Sequence, residues 1–172
     1  MTKHYKVLAA CFLMFMLASC GPSKEEAIKY NDSIIDEQAL IVEKINTLYK
    51  CIDDLDHPEN MDEAYKQALM QVDSGTGKVS KLPDFDGKSD LREAALKLFS
   101  VYKSVIQKEL KTMIDILKMS PVDITPEIET QFDTMNTQAL NKMDSGLKEF
   151  QAVQIKFSEK YNFILTRSTE TN

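Results

Sequence analysis

Ser23-Lys24-Glu25-Glu26-Ala27-Ile28-Lys29-Tyr30-Asn31-Asp32-Ser33-Ile34-Ile35-Asp36-Glu37-Gln38, continuing from Ala39 to Asp54, is the stretch that settles the fold class. Its apolar residues, from Ala27 and Ile28 through Ile34, Ile35, Ile41, Val42, Ile45, Leu48 and Tyr49 to Ile52, recur at steps of three and four. That spacing lays one wide apolar stripe along an α-helix. Ser23 with Glu26 three places on fits a capping box, in which each side chain serves the other's backbone amide. A helix over Lys24 to Asp54 is therefore expected. Asn31 and Gln38 interrupt its stripe one heptad apart. The run Asp53-Asp54-Leu55-Asp56-His57-Pro58 ends it, polar and closed by a proline.

The same pattern repeats down the chain. A second helix starts near Glu59 or Asn60 and carries Met61, Ala64, Ala68, Leu69, Val72 and Val79, with Gly75 and Gly77 each weakening it by about 1 kcal/mol. Leu82 to Ser89 reads as a loop, and Asp90 with Glu93 as the cap of a third helix. That helix runs from Leu91 to about Met119 and stops before Pro121. Thr125-Pro126-Glu127 restarts the chain as a fourth helix, with proline at its first position. Reaching to about Leu165, it makes a rod of about 60 Å, with a kink expected at Ser145-Gly146. No segment alternates as a strand does, and no fixed repeat emerges. The fold class is all-α: an antiparallel up-down-up-down four-helix bundle of long helices over residues 24–166, followed by a polar tail, 167–172.

In that topology the first and last helices are neighbours, so their polar exceptions can meet. With Ile28 level with Ile164, Asn31 faces Tyr161 and Gln38 faces Gln154. These four form a candidate buried polar layer, because a buried amide without a partner costs about 1–3 kcal/mol. The competing reading points all four outward at the stripe's edge.

Ahead of the helices, Lys3 and Lys6 precede an uncharged apolar run from Val7 to Ala18. The run is too short for a membrane-spanning helix, which needs about 20 residues, and fits the core of a secretory signal. Leu17-Ala18-Ser19-Cys20 resembles the lipobox of bacterial lipoproteins. On that resemblance residues 1–19 are a signal peptide, and 20–23 are the lipidated first mature residue, Cys20, and a tether, Gly21-Pro22-Ser23, of about 10 Å at most. Ser23-Lys24-Glu25-Glu26 looks like the signal that sends some Bacteroidota lipoproteins to the outer surface. First-turn acids favoured by the helix dipole account for the same residues, so surface display and an inward-facing leaflet both stay open. With Tyr30-Asn31-Asp32 and Leu91-Arg92-Glu93-Ala94-Ala95-Leu96, the chain resembles small Bacteroidota-like surface lipoproteins. The resemblance implies a helical protein anchored by palmitate-type chains in the cell envelope, with the outer membrane expected, and it brings no catalytic residues. Asp32-Ser33-Ile34 and Asp133-Thr134-Met135 resemble the short O-glycosylation sites of such proteins.

Charge and cysteine content narrow the function. Without residues 1–19 the chain keeps 19 of its 21 Lys+Arg and all 27 Asp+Glu, a net charge of −8. That excludes nucleic acid and a polybasic membrane contact. Cys51 is then the single thiol left beside Cys20, and His57 the single histidine. Ser74-Gly75-Thr76-Gly77-Lys78 looks like a phosphate loop but has Val72 and Val79 at two required positions. Asp84, Asp86 and Asp90, and likewise Asp53, Asp54, Asp56 and Glu59, lack calcium-loop spacing and read as solvated acids. Asp54-x-x-His57 occurs once, too little for a bundle metal site. Cys51 and His57 straddle a helix end, where a structural thiol is the commoner use. Phe150, Phe157 and Tyr161 read as core. The expectation is a lipid-anchored binding or spacer module that meets an envelope or extracellular protein, with no enzyme activity, cofactor or metal. The alternative is a carrier of a small apolar ligand in the bundle core.

Overall fold

The structure is a computed structural model that describes residues 21–165. The expected signal peptide, Cys20 and the polar tail lie outside the described residues. Five helices follow in order: α1 (Lys24–Asp53), α2 (Pro58–Val79), α3 (Asp90–Val105), α4 (Lys111–Leu117) and α5 (Pro126–Lys160). A π-helical segment, Ile106–Leu110, joins α3 to α4 without a break, and a 3-10 turn, Pro121–Asp123, precedes α5. The chain is all-helical, and the sole bridge outside helices among the described residues joins Phe85 to Lys88.

Local chemistry explains most boundaries. At α1 the capping box is complete: the Ser23 amide donates to Glu26 Oε2 at 2.7 Å, and the Glu26 amide to Ser23 Oγ at 3.1 Å. The helix closes with the Leu55 amide on Ile52 O at 3.2 Å and the Asp56 amide on Cys51 O at 3.0 Å, a Schellman pair that recovers two orphan carbonyls. α2 begins at Pro58, slightly earlier than expected, because proline at the first position gives up only an amide that has no helical partner. It runs unbroken through both glycines. A Cβ on Gly75 would lie 3.0 Å from Ile41 Cδ1, so glycine there admits the close approach of α1. The cap of α3 is Ser89 rather than Asp90. α5 stops at Lys160, short of Leu165, in a second Schellman pair through Asn162 and Phe163.

Packing follows the stripes. α1 packs chiefly on α2, and α3 chiefly on α5, while the π segment touches both α2 and α5. Ile34, Ile41, Leu48 and Ile52 of α1 meet Val72, Leu98, Phe99, Ile106, Leu110, Met113 and Ile114 in one buried core. α5 adds Ala139 and Phe150. Gly146 marks no break in α5; a Cβ there would press Leu98 Cδ1 and Val101 Cγ1 at 3.3 Å, so its role is helix contact. Among the described residues, no helix is long and apolar enough to cross a membrane.

Two sets of contacts tie connections together, termed the near end and the far end. At the near end the Tyr30 hydroxyl donates to Pro83 O at 3.0 Å, and Lys160 pairs with Asp86 at 2.6 Å. This joins the start of α1, the α2–α3 loop and the end of α5. At the far end Lys118 pairs with Asp62, which ties the end of α4 to the start of α2.

Candidate functional site

The expected polar layer resolves into one pair. Gln154 Nε2 donates to Asn31 Oδ1 at 2.9 Å, and both residues are buried. The pairings of Asn31 with Tyr161 and of Gln38 with Gln154 are not the ones formed. Relative to that expectation α5 has slid by one heptad against α1. The marker assumed for the register does not hold: Ile164 stands outside the helix and is 90% exposed, whereas Phe163 is buried. Gln38 is half-buried beside Tyr102, while Tyr161 sits at the near end against Asp86.

That near end is an aromatic cluster. Phe85, carried by the α2–α3 loop, packs against Tyr30 at 4.9 Å and, edge to face, against Tyr161 at 5.1 Å and Phe157 at 5.4 Å between ring centroids. A tight turn delivers it: the Phe85 and Lys88 backbones exchange hydrogen bonds of 2.8 and 3.0 Å across Asp86 and Gly87. Both intervening residues have positive φ, 54° and 69°, conformations that Asp tolerates and Gly adopts freely. Asp86 then accepts from Lys160 and from the Tyr161 hydroxyl. Those two hydrogen bonds, Lys160 first, hold its carboxyl below the ordinary value, and Asp86 in turn raises Lys160.

The other motifs are absorbed by structure. The phosphate-loop look-alike lies inside α2, where Lys78 pairs with Glu37 at 2.8 Å. Asp84 is held by Arg92 at 2.7 Å. Burial, then Asp56 and Asp54, raise the Cys51 thiol, which works against a thiolate nucleophile. Ser33 and Thr134 bond back to Tyr30 O and Thr130 O within their helices. Among the described residues, no group of three or more His, Cys, Asp or Glu is placed to hold a metal ion.

Two places escaped the sequence reading. Glu109, in the π segment, is 3% exposed; its Oε1 accepts from Lys142 at 2.6 Å, and its Oε2 has no partner. The Tyr49 hydroxyl is likewise buried and unpaired, and burial, then Asp53 and Glu109, push its pKa up to about 12. The signal was present, since Glu109 sits on the stripe of Ile106, Leu110 and Met113. Beside it, an open groove of about 380 Å³ between α3 and α5 is lined by Leu98, Val101, Phe150 and Val153, with Lys97, Lys142 and Glu149 alongside. The second place is the far end. Leu55 is 70% and Val122 88% exposed, on the α1–α2 turn and the 3-10 turn before α5. A lone leucine within Asp53-Asp54-Leu55-Asp56 was the signal there.

Comparison with protein-family models, curated proteins and solved structures finds no match.

Proposed function

We propose that this chain is a lipid-anchored helical protein of the cell envelope, held at Cys20 in the outer membrane and acting as an interaction or spacer module. Its helices run as an antiparallel up-down-up-down bundle. Support for that arrangement comes from cross-helix pairs in which one number falls as the other rises. Glu37–Lys78 is followed by Tyr30–Pro83, Asp73–Lys103 by Asp62–Lys118, and Lys97–Glu149 by Glu109–Lys142. The observation that carries the interaction reading is where apolar groups go. The interior is filled by large aliphatic and aromatic side chains, while Leu55 and Val122 stand bare on the turns. A core carrier needs an enclosed chamber, whereas the groove at Val101 and Phe150 opens to the surface.

Anchoring follows from Cys20. A thioether diacylglycerol and an N-acyl chain on one cysteine bind a membrane stably, as two chains do and one does not. The short tether places Phe85 and the near end at the membrane and the far end away from it. Metabolic labelling with a clickable palmitate tests this: wild type should label, and Cys20→Ala should not. Equal labelling of the two overturns the anchored reading.

A further inference from the structure

The far end carries two features that folding does not account for. Leu55 closes α1 with φ 50°, a left-handed position that suits glycine or asparagine. Its side chain is not packed in compensation, being 70% exposed. The end of α5 shows the usual solution to the same geometry: Asn162 takes the left-handed position, φ 55°, and Phe163 after it is buried against Phe157. On α1 the order is inverted, with leucine in the left-handed position and Asp56 after it. Across the same end Val122 projects from the 3-10 turn, the most exposed large apolar side chain there. Asp53, Asp54, Asp56, Glu59, Asp123 and Glu127 surround these two on their own segments. Of the nearby cations, Lys118 is already held by Asp62.

Resting on the interaction reading above, we propose that the far end is a docking surface for a protein partner presenting an apolar socket rimmed by lysine and arginine. Leu55 and Val122 are the anchors, and the carboxylates steer and register the partner. Apolar anchors buried at the centre of an interface carry most of its affinity, and rim charges act on approach and specificity. Charge selects this occupant over the others. An anionic lipid surface is repelled by the acidic rim, and a second copy docking through the same end sets carboxylate against carboxylate.

The test uses full-length protein in whole cells, with a photo-crosslinking amino acid in place of Leu55, Val122 or, as a mid-helix control, Ile155. The expected result is one protein trapped from both 55 and 122, identified as carrying a basic-rimmed apolar surface, with trapping suppressed by high salt before illumination. Leu55→Gly in the Val122-probe background should cut trapping about tenfold or more without lowering the melting temperature, which separates lost docking from lost folding. Trapping at Ile155 alone overturns the far-end surface and leaves the interaction reading standing. No adduct from any position overturns both. Lipid adducts or self-adducts at 55 and 122, salt-independent trapping, or undiminished trapping with Leu55→Gly each overturn the proposal.

Discussion

At Asn162 and at Leu55 the chain leaves a helix through the same left-handed turn, with φ of 55° and 50°, and with matching amide bonds of 3.1 Å from Phe163 and 3.0 Å from Asp56. The surroundings of the two turns differ. At the near end Phe163 turns inward, Phe85 plugs the gap between α1 and α5, and Asp86 is latched by Lys160. At the far end Leu55 and Val122 face outward. One backbone solution thus serves two purposes: the near end locks the fold, and the far end leaves apolar surface that folding does not use.

The largest test of that contrast is Phe85→Ala against Val122→Ala. Losing this half-buried plug should cost about 2.5 kcal/mol, below the range of fully buried aromatic truncations, while Val122→Ala should stay within about 0.5 kcal/mol. Urea melts decide it, and equal losses would erase the distinction between the ends. Next comes the buried pair behind the plug. Asn31→Leu strands Gln154 and should cost about 2 kcal/mol, with most of it recovered by adding Gln154→Leu. Strict additivity of the two changes in a double-mutant cycle would show that they do not act as a pair.

A smaller effect probes the two turns directly. Leu55→Gly should raise stability by about 1 kcal/mol, and Asn162→Leu should lower it by a similar amount, because only the latter adds a Cβ penalty at a left-handed position. Shifts of the same sign would mean that the turns are not equivalent. The smallest effect concerns acid. The Asp86 carboxyl is lowered in the folded state, chiefly by Lys160, so the latch contributes above the ordinary aspartate range and is lost as pH falls through the lowered value. Protection factors of the Phe85 and Lys88 amides should therefore drop in acid, and in Asp86→Asn they should already be low at neutral pH. Protection that ignores both changes would leave the aromatic cluster alone holding the loop.

Legibility varied with the range of the interaction. Ile34, Ile41, Ile45, Leu48 and Ile52 were readable as core because a helix repeats its inward face within a few residues. The Ser23–Glu26 box was readable because both partners lie within one turn. The α1–α5 register was not. A stripe with a near-heptad repeat looks the same after a seven-residue slide, so Asn31 could be matched with Tyr161 as easily as with Gln154. Phe85 was unreadable for another reason: a lone aromatic in a polar loop has no period, and its partners come from the far start and end of the chain. The π segment at Ile106–Leu110 has no sequence marker of its own, and although Glu109 lies on the stripe of Ile106, Leu110 and Met113, its partner Lys142 comes from a distant helix.

By itself, the sequence determined that this protein is helical, where its helices start and stop to within a few residues, and which face of each turns inward. Those outcomes depend on backbone preference, capping and neighbours within a turn. Only the tertiary structure decided that Gln154 meets Asn31, that Gly75 and Gly146 sit where helices touch, and that Phe85 packs on the aromatic cluster while Leu55 stays exposed. Each of these depends on which distant segment arrives opposite, a choice made by the whole core packing at once and not by any local stretch.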